Sequence, residues 1–175
     1  LPDLSRRLRA GDTAGGRNAF NRAAEISLAL TIPAAVALCV IPIQLVSVLF
    51  ERGAFGADDT KATALAVAVY GLGLPSFVLQ KALQPLFFAR EDTRRPFYFA
   101  LASLAVNAVI AVGLMPYLGF IAAAIGTTMS GWASVALLWV ASRRMGVAAT
   151  TDRRFRARVW RILLASALMG ALLWV

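Results

Sequence analysis

One cation stands where a side chain could do chemistry. Lys81 lies eight residues before Ala89, where the long apolar run 62–89 ends, so at 1.5 Å per residue it sits about 12 Å along a helix from that end. A lysine stem does not easily reach water from such a depth. A charge buried in hydrocarbon costs about 2.5–3.5 kcal/mol even on lenient insertion scales, so it usually faces a cavity or a partner. Gln80 and Gln84 are one helical turn apart, and Gln84 is three residues from Lys81, which gives this sector a polar stripe. A cationic wall carrying amides suits a phosphate or pyrophosphate group. The competing reading is structural: Lys81 donates to backbone carbonyls freed by nearby prolines, or to a carboxylate in another part of a longer protein.

The prolines are the second feature. Pro75 and Pro85 interrupt the run that holds Lys81, and Pro33 and Pro42 interrupt the run before it. Each removes a backbone donor and frees the carbonyl four residues earlier, so these helices are expected to kink. Gly71 and Gly73 weaken the turn before Pro75. Such points serve as bends in transporters, but proline and glycine are also common in ordinary membrane helices; gate and packing remain equal readings.

The acids are informative by position. Asp3, Asp12, Glu51, Asp58, Asp59, Glu91, Asp92 and Asp152 fall between apolar runs, and Glu25 stands at a run's start. Proton or sodium coupling through a deep carboxylate would have to come from elsewhere in a longer protein, or be replaced by the membrane potential. The chain has no His and no glycine-rich phosphate loop before a helix, so enzyme chemistry and a bound cofactor have no support. Asn107 and Thr127 are polar spots on neighbouring runs that could meet by hydrogen bonding or add to a cation site, but hard cations want carboxylates or several oxygens, so no metal is expected.

Apolar runs must position these residues. The 175 residues are 59% hydrophobic and 15% charged, with mean hydropathy +0.71, well beyond the roughly 45–50% apolar content of a soluble domain. Full-length apolar stretches occupy 24–49, 62–89, 97–115 and 119–142, and a fifth, incomplete one runs 160–175. Each full stretch meets the roughly 17–25 residues needed to cross a bilayer core. Helices are the default because lipid leaves backbone groups unsatisfied. The expected fold is all-α: a polytopic transmembrane bundle of four full spans plus a truncated fifth. The absence of an initiator Met before Leu1-Pro2-Asp3 and the stop at Leu172-Leu173-Trp174-Val175 make the chain read as a fragment.

Positive charge orients the bundle. Arg6, Arg7, Arg9, Arg17 and Arg22 precede the first span; Arg90, Arg94 and Arg95 lie in the turn 90–96; Arg143, Arg144, Arg153, Arg154, Arg156, Arg158 and Arg161 lie in or beside the segment 143–159. The alternate connections, 50–61 and 116–118, hold only Arg52 and Lys61. The arginine-rich set is therefore cytoplasmic. The net charge of +9 is topological: nucleic-acid binders carry their cations on a solvated face, so no nucleic-acid partner is expected. Segment 143–159, with Met145, Val147 and Phe155, and with Trp160 just beyond it, reads first as a topology-fixing loop. Its alternative is an interfacial helix on the anionic leaflet. Ala122, Gly126, Ser130 and Ser134 recur every four residues and let a neighbouring helix approach closely. Cys39 lies within an apolar run, where it reads as packing.

Three stretches together carry a resemblance. They are Leu49-Phe50-Glu51-Arg52-Gly53-Ala54-Phe55, Gly73-Leu74-Pro75 leading to Lys81, and Phe87-Phe88-Ala89-Arg90-Glu91-Asp92-Thr93-Arg94-Arg95-Pro96. They resemble the L-F-x-R-G-A-F and F-Y-A-R-x-D-T-x-x-P turns of the MurJ (MviN) family, in the multidrug/oligosaccharidyl-lipid/polysaccharide exporter superfamily. The likeness extends over about residues 1–145, and Leu1-Pro2 to Leu4-Ser5 is similar to the end of the family's preceding helix. The resemblance implies a helical transporter of two lobes around a cationic cavity, this chain being most of the second lobe. It implies transport of lipid II, the undecaprenyl-pyrophosphate-linked peptidoglycan precursor, across the bacterial cytoplasmic membrane by alternating access. The implied partners are lipid II, membrane lipids and the protein's remaining helices. Most of the family's cavity arginines fall outside this chain, leaving Lys81, with Gln80 and Gln84, as cavity candidates. Arg52, Gly53, Pro75, Pro85, Arg90 and Asp92 are gate or turn candidates, with Asp92 or Thr93 capping the next helix and Pro96 in its first turn. The rival readings are a flippase for another lipid-linked glycan or a drug exporter, and, from another class, a non-transporting membrane scaffold.

Overall fold

The computed structural model describes residues 12–143 and 151–174. The expected helix end at 1–5, Arg6, Arg7, Arg9, and the part of the basic segment at 144–150 lie outside them. Six helices follow one another: α1 (Thr13–Val40), α2 (Pro42–Phe50), α3 (Ala57–Phe88), α4 (Arg94–Leu118), α5 (Ile121–Arg143) and α6 (Arg153–Trp174). All but α2 are long and apolar enough to cross a membrane.

α3 and α4 begin five and three residues earlier than expected, and the boundaries depart further from the sequence reading in four places. The first run, expected to form one helix over 24–49, is two helices: Pro42 has no N–H to continue α1 and disfavours helical geometry at Ile41, which adopts φ −121°, ψ 41°. α1 also begins well before 24, because the Asp12 carboxylate accepts the Gly15 N–H at 2.8 Å and caps the helix. Pro116 is accommodated within α4, and the turn expected at 116–118 falls after it, at Gly119, whose φ of +55° suits glycine. The fifth run gives a longer helix than expected: α6 starts at Arg153, within the expected loop 143–159, and its 22 described residues reach spanning length.

Packing orders the spans in a row. α4 lies on α5, α5 on α3, α3 on α1, and α1 on α6, with the short α2 against α3; α3 and α4 barely touch. Glycines set the closest approaches. A methyl group at Gly71 would meet Leu38 Cβ at 3.0 Å, and one at Gly126 would meet the Asn107 carbonyl at 3.0 Å. The main core joins Phe20 and Ala24 of α1, Leu83, Leu86 and Phe87 of α3, and Leu138 of α5, with Phe99 of α4 and Phe155 of α6 against it. These residues come from the ends of the helices next to the arginine clusters, so the bundle is tightest at its arginine-rich side. Towards the other side, large apolar residues such as Val112, Tyr117 and Leu172 remain exposed, as lipid-facing positions are.

Candidate functional site

α3 carries the candidates because it is continuous for 32 residues through both Pro75 and Pro85. Its proline-weakened turn is reinforced from α5. Thr128 Oγ1 donates to the Val69 carbonyl at 2.9 Å and Trp132 Nε1 to the Leu72 carbonyl at 3.1 Å. Within α3, the buried Ser76 hydroxyl donates to the Gly73 carbonyl at 2.7 Å. None of the three is the Gly71 carbonyl that Pro75 frees, and Lys81 takes part in none of these bonds.

Lys81 is exposed and, among the described residues, makes neither an ion pair nor a hydrogen bond. It projects from the row of helices, about two turns above the C-terminal end of α3. An unpaired ammonium there is stable in a membrane only beside water, an anion or further protein.

Gln80 and Gln84 share a different place. Gln80 Nε2 donates to the Gly131 carbonyl at 3.3 Å. Both glutamines line a crevice of about 240 Å³ with Ser103, Asn107, Ser130 and Ser134, walled by α3 and α4 and floored by α5. The small face expected on α5 is buried at Ala122, Gly126, Ser130 and Ser134, and its two serines form part of that floor. Asn107 Nδ2 meets Thr127 Oγ1 at 3.4 Å, and that hydroxyl donates to the Ala123 carbonyl at 2.8 Å. The crevice thus offers neutral amides and hydroxyls, and Lys81 is not among its lining residues. The two glutamines come together; the lysine does not join them.

The turn candidates have local roles in the geometry. Gly53 has φ +61°, and Arg52 is exposed with its guanidinium 3.5 Å from the Val48 carbonyl. The Phe50 and Phe55 rings close that turn at 6.4 Å. At the other side, Asp92 caps α4: its carboxylate accepts the Arg95 N–H and pairs with Arg95 Nε, both at 3.2 Å. Thr93 makes no side-chain cap bond, Pro96 is buried in the first turn of α4, and Arg90 is exposed.

Sequence reasoning did not find the clasp between α1 and α6. Arg17 Nε pairs with Asp152 Oδ1 at 3.0 Å, Arg158 pairs with Glu25, and the Asp152 N–H donates to Asn21 Oδ1 at 3.3 Å. The only signal was Glu25 at the head of one span and the arginine cluster at the head of another. Nothing local linked them. Trp132 and Thr128 were also missed, although their i, i+4 spacing puts them on one face of α5.

Comparison with known proteins places this architecture. The family described as Lipid II flippase MurJ matches residues 1–175. A "Probable lipid II flippase MurJ" of Rhizobium meliloti (strain 1021) is 43% identical over 175 residues, all of this chain and 32% of that protein. Another so named, from Rhizobium tropici, is 39% identical over 173 residues, covering 99% of this chain and 32% of the relative. The chain therefore spans about a third of the length of the curated relatives it matches. A solved structure titled "Lipid II flippase MurJ, inward closed conformation" is similar in fold, with TM-score 0.82 and 24% identity, over 97% of this chain and 34% of that one. With its whole length matched and its helices superimposing on that fold, the chain belongs to the lipid II flippase MurJ family.

Proposed function

We propose that this chain is part of a flippase that moves lipid II from the inner to the outer leaflet of the bacterial cytoplasmic membrane by alternating access. The observation that carries the reading is Lys81: an exposed, unpaired cation within a spanning helix, in a chain whose family is described by lipid II transport. A pyrophosphate head group needs a cationic, wet path, while its polyprenyl tail stays in lipid. Lys81 supplies one such charge on the cavity side of the lobe. Gln80 and Gln84 hold the helix beside it and supply neutral donors and acceptors to the substrate's sugar and peptide. Arg52 and Gly53 form an outer turn that closes against the rest of the protein, Arg90 and Asp92 form the inner turn, and α3 bends at Pro75 and Pro85 as access alternates.

A charge-assisted hydrogen bond to phosphate is worth about 1.5–3 kcal/mol, so Lys81→Met lowers the transport rate by roughly 10- to 150-fold and Lys81→Arg retains most of it. The test depletes the full-length protein in its host and measures lipid II accessible to an externally added lipid II-cleaving enzyme. Loss of accessible lipid II, not restored by normally inserted Lys81→Met, is the expected result. Unchanged accessibility on depletion, in a host with no second flippase, would assign the chain to another lipid-linked cargo or to a scaffold; full rescue by Lys81→Met would remove Lys81 from the site.

A further inference from the structure

The clasp between α1 and α6 encloses a second site, away from Lys81. A polar crevice of about 300 Å³ opens beside the two ion pairs, lined by Asn18, Arg22, Glu25, Asp152, Arg154 and Phe155. Its carboxylates are already engaged: Asp152 by Arg17, and Glu25, only 15% exposed, by Arg158. Arg22 and Arg154 are exposed and, among the described residues, have no ion-pair partner. Four arginines against two carboxylates leave two uncompensated positive charges on one small opening. Each is a guanidinium, whose planar fork matches phosphate oxygens in a way that an ammonium does not.

We propose that this crevice binds the phosphate head group of an anionic membrane phospholipid in the cytoplasmic leaflet. The position selects a lipid over a free phosphate. The opening lies at the head of α6, against the second to fourth turns of α1, and just beyond it on α6 the side chains of Trp160, Leu163 and Leu164 are 62%, 43% and 48% exposed. They offer acyl chains an apolar path continuous with the head-group site, with a tryptophan at the boundary where amphipathic rings settle. The bound phosphate bridges Arg22 of α1 to Arg154 of α6 and so adds a third link to the clasp. The site is independent of the transport reading, since it uses neither Lys81 nor the substrate.

The test titrates the purified full-length protein in detergent with phosphatidylglycerol or phosphatidylcholine and counts bound lipid by native mass spectrometry. Phosphatidylglycerol is expected to bind preferentially. Losing two charge-assisted contacts, Arg22→Gln/Arg154→Gln binds it about 10-fold or more weakly, whereas the charge-matched Arg153→Gln/Arg156→Gln, outside the crevice, changes binding less than about 2-fold. Arg22→Lys/Arg154→Lys keeps the charge and loses the fork, and is expected in between. This pair also serves if the Gln pair misfolds. Equal losses in the two Gln pairs would reduce the effect to general positive charge and overturn the site. So would complete displacement of phosphatidylglycerol by millimolar inorganic phosphate, which would mean that the ligand is the free anion.

Discussion

Gly131 of α5 offers the sharpest check on how α3 and α5 are joined. It is buried, its carbonyl accepts the Gln80 amide, and a methyl group placed on it would overlap Ser76 Oγ and stand 3.1 Å from Phe77 Cε1. Ser76 cannot yield freely: it is fully buried and its hydroxyl is committed to the Gly73 carbonyl. Gly131→Ala therefore forces one of two changes. Ser76 rotates and gives up a hydrogen bond worth about 0.5–1.5 kcal/mol net, or the helices part, and overpacking of that kind costs about 1–3 kcal/mol. Alanine recovers about 0.5–1 kcal/mol of helix propensity. The balance is a destabilisation of up to about 1 kcal/mol by the first route and up to about 2.5 kcal/mol by the second, or up to about 70-fold in the folded-to-unfolded ratio. Around Gly113 of α4, a methyl group would find no atom within 4 Å, so Gly113→Ala keeps only the favourable part. Equilibrium unfolding of the full-length protein in mixed micelles of increasing sodium dodecyl sulfate, followed by tryptophan fluorescence, ranks the variants. Adding Ser76→Ala removes the overlapping oxygen, so the Gly131→Ala penalty should shrink by about 1 kcal/mol in that background. Equal stabilities for the two Gly→Ala variants, or an unchanged penalty in the Ser76→Ala background, would refute the contact.

Two turn residues give further tests. Asp92→Ala removes the cap of α4 and should cost about 1 kcal/mol, while Asp92→Asn, which can still accept the Arg95 N–H, should cost much less; the same micellar unfolding reads both. Gly53→Ala meets no neighbour but must hold φ near +61°, which costs about 1–2 kcal/mol. It should speed protease cutting of the outer turn several-fold, with Gly53→Asn less affected.

The membrane architecture was readable because apolar length and arginine placement are properties of local sequence: a bilayer demands about 20 apolar residues wherever a helix crosses, and arginine marks one side. Asp92 as a cap and the meeting of Asn107 with Thr127 followed from similar short-range rules. The prolines did not. Pro42 ends a helix and Pro75 sits inside one, although each is a proline in an apolar run. The turns around Pro75 are braced by donors from Thr128 and Trp132, which lie more than fifty residues away in sequence. The start of α1 was hidden for a related reason. Arg17, Asn18, Asn21 and Arg22 make 13–23 look like a linker, yet Phe20 and Asn21 are buried there, and Arg17 and Asn21 are held by Asp152, just before α6, across some 130 positions.

Which faces of the spans meet one another is harder to read, and the reason is the solvent. In water an apolar stripe marks the buried side, but in lipid both sides of a helix are apolar and the stripe loses that meaning. Residue size keeps it. Gly71 lies against Leu38 and Cys39, Gly73 against Thr128, Gly126 against Asn107, and Gly170 against Val36, so four glycines mark the α1–α3, α3–α5, α4–α5 and α1–α6 contacts in turn. Gly113 shows the limit of the rule, since nothing approaches it. Charge follows the same logic in reverse. Glu25, well inside α1, and Arg158, in the second turn of α6, are tolerated because each neutralises the other, whereas Lys81 has no such partner among the described residues and emerges from the row of helices. Small residues thus mark where this lobe holds itself together, and the unpaired lysine marks where it must face something else.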